Sequence, residues 1–441
     1  MLLGTFHRAQ FVSRRFKRYL GFSGFVLGFF LLTGAPARAT IGVANQMLLG
    51  NPSNATTSTT NHEHYLIQRD IEALDYNDTL RQPNWASWHL TTADIGSSGR
   101  TSFSADTSLP PGFYQVQTTD YSGSGYDRGH MCPSGDRTVS VAINEETFRM
   151  SNMIPQSPDN NQGVWANLEN YCRTLASGGN EVLITCGPEG FGNSRTASTG
   201  QIPIASNVWK IVVVVPPGGG ATLDRISSAT RIIAVNIPNI QGVRSDPWQN
   251  YLTSVNQLQT NTGFTFFTAL NSDLAAVLRA KVDGAPTVGI TNFTPFSGVA
   301  NSTVVLRGTN FTGTTTVRFN GQDATFTLNS PNQITALVPV GATTGPISVI
   351  AAGGLATSAT AFSISALVVA QPTLSIALAG NNVVLSWPSS AAGYELQQNP
   401  DLNPTNWTTY LGPVTVSGNT TTATLPVPSG PFFFRLSALN P

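Results

Sequence analysis

At 441 residues the chain is long enough for roughly two to four folded units of ~100–200 residues each, which excludes a single small domain. Its 23 basic and 23 acidic side chains balance, but six of the basic ones and none of the acidic ones fall in residues 1–39, so the remainder carries a formal charge of −6. A broadly basic surface is thereby excluded, and a polyanionic partner would have to be met by a few local arginines and a bound cation.

In chain order, residues 1–39 read as a signal peptide. Arg14, Arg15, Lys17 and Arg18 precede an apolar run from Gly21 to Leu32, and Ala37-Arg38-Ala39 supplies an A-x-A cleavage site. The run is short for a membrane span and no stop-transfer pattern follows it. The expectation is cleavage near Ala39, giving a secreted, periplasmic or cell-surface protein with no stable membrane span in its mature form.

Residues 40–284 hold 14 basic and 20 acidic side chains, whereas 285–441 hold three of each, and composition changes at Gly284-Ala285-Pro286. In the first region, helix-spaced Trp165, Leu168 and Cys172 precede strand-like Glu181–Thr185 and Trp209–Val215. A second helix is expected with Ser245 as N-cap, Pro247 in its first turn, and Trp248, Tyr251, Val255 and Leu258 on one face. Strands and helices in this order indicate an α+β fold. The three cysteines, Cys132, Cys172 and Cys186, permit at most one internal bridge. A Cys172–Cys186 pair is one candidate, and the sequence leaves connectivity open.

There is no HExxH zinc motif, Walker phosphate loop or G-x-S-x-G elbow. Three other segments carry the chemistry of phosphodiester hydrolysis, which needs a base for water, a cation for the growing phosphorane charge and a donor for the leaving oxygen. They are Asp127-Arg128-Gly129-His130-Met131-Cys132-Pro133, Ser151-Asn152-Met153-Ile154-Pro155-Gln156, and Asn160-Asn161-Gln162-Gly163-Val164-Trp165 running into Glu169 and Arg173. His130 titrates near neutral pH and suits the base. Asn161 and Glu169, eight residues apart, lie ~12 Å apart along a regular helix, so both cannot directly ligate one ion. Glu169 and Arg173, four apart, are spaced for an ion pair on one helix face. His62-Glu63-His64 lies in a polar loop and His89 among apolar Trp85, Trp88 and Leu90, positions that suit solvated and packed histidines respectively.

At these spacings the chain resembles the DNA/RNA non-specific endonuclease family, the ββα-metal (His-Me finger) nucleases that include secreted sugar-nonspecific nucleases and endonuclease G. The resemblance runs from about Gly50 to Leu278 and includes Pro83-Asn84-Trp85-Ala86-Ser87-Trp88 and Thr262-Gly263-Phe264. It implies an α+β nuclease domain with a mixed sheet and helices over 40–284, and cleavage of both DNA and RNA without sequence specificity. It also implies His130 as general base and Asn161 as the direct protein ligand of Mg²⁺, with Mn²⁺ or another divalent cation as an alternative. Glu169 would hold metal-bound water, Arg128 and Arg173 would stabilise the transition state and bind substrate, and Asn152 would help position the histidine. Where the family commonly has a basic residue this chain has Ser104, and nearby Arg100 is the candidate substitute.

Residues 286–365 resemble an IPT/TIG immunoglobulin-like domain, through Ile290-Thr291-Asn292-Phe293-Thr294-Pro295, Gly308-Thr309-Asn310-Phe311 and Val317-Arg318-Phe319-Asn320-Gly321. Residues 371–438, with Val384-Leu385-Ser386-Trp387-Pro388 and Phe432-Phe433-Phe434-Arg435-Leu436, resemble a small fibronectin type III-like sandwich. Two all-β sandwiches are thus expected after the nuclease domain. Neither shows an acid/base pair, so spacing, cell-surface attachment, or binding of carbohydrate or protein stay open for the tail.

Overall fold

The β-branched run Ile211-Val212-Val213-Val214-Val215 suits a strand covered on both faces, and the computed structural model buries all five residues. It describes residues 46–196, 201–365 and 371–439, so the expected signal peptide lies outside the described residues. The N-terminal region contains β1 (Tyr65–Gln68), β2 (Ala73–Asn77), β3 (Gln82–Leu90), β4 (Asp127–His130), α1 (Val141–Glu146), β5 (Met153–Gln156) and α2 (Ala166–Ser177). These are followed by β6 (Glu181–Arg195), β7 (Pro203–Val215), β8 (Arg231–Pro238), β9 (Leu252–Thr253), α3 (Val255–Thr262) and α4 (Ser272–Ala280).

Seven strands form one sheet in the order β1-β2-β3-β6-β7-β8-β9. The fold is α+β as expected, but within this sheet every pairing is antiparallel rather than mixed. Successive strands such as β1 and β2, or β2 and β3, reverse on connections of four residues, which cannot join parallel neighbours. Period-two alternation sends Val208, Val212 and Val214 to the core under α2, with Trp88, Trp165 and Leu168. Trp209, Ile211, Val213 and Val215 go to the opposite core, under Leu258 of α3 and Leu278 of α4. A long excursion between β3 and β6 carries the two-stranded β4-β5 ribbon and α2.

The helix expected from Ser245 is split. A 3₁₀ turn spans Trp248–Tyr251, β9 follows, and α3 starts at Val255, where the Ser254 hydroxyl accepts from the Gln257 amide at 3.1 Å. Leu252 and Thr253 pair with Val235 and Ala234 at the sheet edge, and this long-range pairing overrides the local helical spacing. The Cys172–Cys186 bridge is absent: all three cysteines are buried free thiols.

Beyond Pro286 the described chain is all β. Residues 289–364 form a four-stranded and a five-stranded sheet around Phe293, Leu306, Phe311, Phe319, Ile347 and Phe362. Residues 375–438 form a four-stranded and a three-stranded sheet around a smaller core of Leu385, Trp387, Leu396 and Ala423. Among the described residues, no helix is long and apolar enough to cross a membrane.

Candidate active site

The β4-β5 ribbon sets the histidine. His130 pairs with Met153 and Gly129 with Ile154, and a Cβ at Gly129 would lie 2.1 Å from Gln156 Oε1, so only glycine lets the strands approach this closely. Beyond the ribbon, Asn152 accepts from the Cys132 amide and donates to the carbonyls of Cys132 and Thr147, each at 2.9 Å. Fully buried, it ties down the chain two residues after His130 and does not line the cavity.

The His130 ring packs between Phe103 and Phe148, with centroids 5.4 and 4.9 Å away. Its Nε2 is buried and, among the described residues, has no hydrogen-bond partner. Burial, reinforced by the Arg100 charge, lowers its pKa from 6.5 to about 3, which leaves a neutral imidazole. A cavity of about 670 Å³ opens beside it, lined by Arg100, Arg128, Asn161, Glu169 and Arg173 among others. The structure thus brings together every expected site residue except Asn152, which acts through the backbone. Arg100 and Arg128 stack over Phe148 and Phe103 at 5.1 and 4.4 Å. Ser104 is instead engaged in a backbone bridge with Arg149.

Asn161 lies on a kinked turn, Asn160–Trp165, that leads into α2 and is broken at Gly163 by a non-helical backbone (φ −115°, ψ −107°). A Cβ at Gly163 within this turn would sit 2.4 Å from the Arg244 carbonyl oxygen. The Asn161 amide donates through Nδ2 to Asp127 Oδ2 at 2.9 Å, and Gln162 donates to the same oxygen at 2.7 Å. With Nδ2 anchored, Oδ1 is the atom available to a cation.

Glu169 and Arg173 do not form the plain i,i+4 pair. Arg173 Nη1 binds Asp136 Oδ1 at 2.7 Å and Nη2 binds Asn170 at 2.7 Å, while Trp88 Nε1 donates to the other Asp136 oxygen at 3.0 Å. Burial opposes the Arg173 charge, yet Asp136 and Glu169 outweigh it and raise the pKa. Glu169 Oε1 instead lies 3.8 Å from Lys210 Nζ. Burial raises the Glu169 pKa against the opposing Lys210 charge. Asp136 and Lys210 were not singled out by sequence, because 37 residues separate Asp136 from Arg173 and 41 separate Glu169 from Lys210. One signal was present: Lys210 interrupts the inward series Val208, Val212, Val214.

The other histidines among the described residues each meet a carboxylate. His62 and His64 pair through Nδ1 with Asp78 and Asp75, each at 2.8 Å, and His89 faces Glu181 at 3.0 Å. Among the described residues no group of three or more His, Cys, Asp or Glu forms a metal cluster.

Residues 49–273 match the DNA/RNA non-specific endonuclease family, and the chain belongs to it. Residues 287–364 match the IPT/TIG domain. A nuclease of Nostoc sp. (strain PCC 7120) is 42% identical over 243 residues, covering 55% of this chain and 87% of the relative. Mitochondrial nuclease EXOG of Xenopus laevis is 29% identical, covering 50% of this chain, and the chain spans 63% of that relative's length. Human mitochondrial endonuclease G is 25% identical, covering 46% of this chain and 69% of the relative. Among solved structures, a chain of the EndoG/EndoGI complex is similar at 23% identity and a TM-score of 0.44, covering 54% of this chain and 95% of that one.

Proposed function

We propose that the protein is a secreted, divalent-metal-dependent endonuclease that hydrolyses phosphodiester bonds of DNA and RNA without sequence specificity. The observation that carries this reading is a neutral His130 lining one cavity with three arginines and Asn161. His130 takes a proton from the attacking water. Arg128, which among the described residues has a phenyl face and no carboxylate partner, meets the scissile phosphate. Arg173, held by Asp136, faces the growing charge or the leaving oxygen, and Arg100 stands in for the basic residue that Ser104 replaces.

The donor set fits a loosely held hydrated cation. A neutral amide oxygen from Asn161 would be the direct ligand and Glu169 would hold the ion through water, while the described residues offer no closed carboxylate cage. When bound, Mg²⁺, or Mn²⁺ or another divalent cation in its place, neutralises charge on the phosphate. Residues 1–39 are assigned as signal peptide and 40–284 as the catalytic domain. Residues 286–365 and 371–438 are assigned as sandwiches that locate the enzyme by spacing or by holding a surface, carbohydrate or protein.

The test uses plasmid DNA and RNA with Mg²⁺ or chelator, on wild type and His130→Ala. Chelation should abolish cleavage of both polymers, and loss of the base should lower kcat by about 10²–10⁴-fold. Activity that survives both treatments defeats the mechanism.

A further inference from the structure

Lys210 sits near the middle of β7, paired on one side with Cys186 of β6 and on the other with Val235 of β8. Its side chain points to the α2 side with Val208 and Val212, and it is 1% exposed. Its ammonium lies 4.0 Å from the centre of the Trp165 ring and 5.6 Å from that of Trp88. It has no hydrogen-bond partner among the described residues, and the carboxylate it meets is Glu169, at 3.8 Å through Oε1. A buried ion pair is weak ground for stability, since a well-packed apolar pair commonly does as well or better. A lysine in an otherwise apolar row therefore calls for a different explanation, and its partner's side chain reaches the cavity wall at 13% exposure.

We propose that Lys210 is a positioning residue for the nuclease site. From a central strand its ammonium holds Glu169, a cavity-lining residue, through Oε1. The two rings flanking the ammonium belong to the same framework. Trp165 closes the turn that carries Asn161, and Trp88 holds Asp136, which holds Arg173. One buried cation thus registers the Glu169 carboxylate against the amide and arginine arms of the site. This rests on the nuclease reading above.

The experiment is a double-mutant cycle on the full chain with Lys210→Met, Glu169→Gln and the double variant, reading kcat, KM and melting temperature. Lys210→Met should lower kcat by roughly 10–100-fold, the range for residues that orient a reacting group's supports, with KM nearly unchanged. It should also lower the melting temperature by leaving Glu169 buried without its partner. In the double variant, kcat should equal that of Glu169→Gln alone, and the melting temperature should recover above that of Lys210→Met. A further fall in kcat in the double variant, by the factor seen for Lys210→Met in wild type, overturns the proposal, as does a Lys210→Met kcat equal to wild type. If Lys210→Met does not fold, the comparison of the double variant with Glu169→Gln decides the same question. Should wild type cleave neither DNA nor RNA, the functional reading fails, while additive melting shifts across the cycle would separately refute the coupling.

Discussion

His130 lines the cavity with a pKa held near 3 by burial and, less strongly, by Arg100. A base must be unprotonated to act, and this one stays so far below the ordinary histidine range. The acid limb of kcat/KM should therefore not centre near the free-histidine value of about 6.5. A limb there that Arg100→Ala does not move would contradict the electrostatic account. The expected outcome is an acid limb that shifts in Glu169→Gln, since burial raises the Glu169 pKa. The sign for stability follows from the same shift. As pH falls through the unfolded histidine's value the unfolded chain takes a proton that the folded ring refuses, so stability is lost between about pH 6.5 and about 3. At this scale the sequence was most informative, because Arg128, His130, Asn161, Glu169 and Arg173 all fall in two short segments. What it concealed were the partners: the Asp136 beneath Arg173 and the Lys210 beneath Glu169 are brought in by sheet and helix packing across long separations.

At the scale of elements, the kinked turn before α2 sets the angle at which Asn161 is presented. It exists only because Gly163 lets the Arg244 backbone approach. Gly163→Ala should force these segments apart, displacing Asn161 from Asp127 and costing about 1–3 kcal/mol as an overpacked site. Thermal melting measures the cost, and a raised metal concentration for half-maximal activity reports the displaced amide. Unchanged values for both would show that the turn does not position Asn161. Helix α2, the Glu181–Thr185 start of β6 and the Ile211–Val215 run of β7 were legible because each carries a clear local apolar pattern. The start of α3 was not: Ser245 and Ser254 both offer a capping hydroxyl, and only the pairing of Leu252 with Val235, invisible locally, selects the second.

Over the whole molecule, the nuclease region and the IPT/TIG region have hydrophobic cores with no residue in common, and the expected chemistry lies wholly in the first. A chain ending near Gly284 should keep the kcat and KM of the full chain on plasmid DNA, and a large loss in kcat would assign the tail a catalytic part. Composition marked the change near Gly284-Ala285-Pro286 because short alternating strands need few charges. It could not say what the tail does, since a sandwich face becomes a binding surface only through side chains that a partner selects. The buried thiols have a further consequence. Cys132, Cys172 and Cys186 are all packed in the core beneath α2, and no covalent cross-link stands between the unfolded chain and its native state. A protein expected outside the cytoplasm thereby has no need of an oxidant or a disulfide isomerase to mature. Refolding from denaturant should give equal active yield with and without dithiothreitol, and a yield that collapsed in reductant would reveal a bridge the fold depends on.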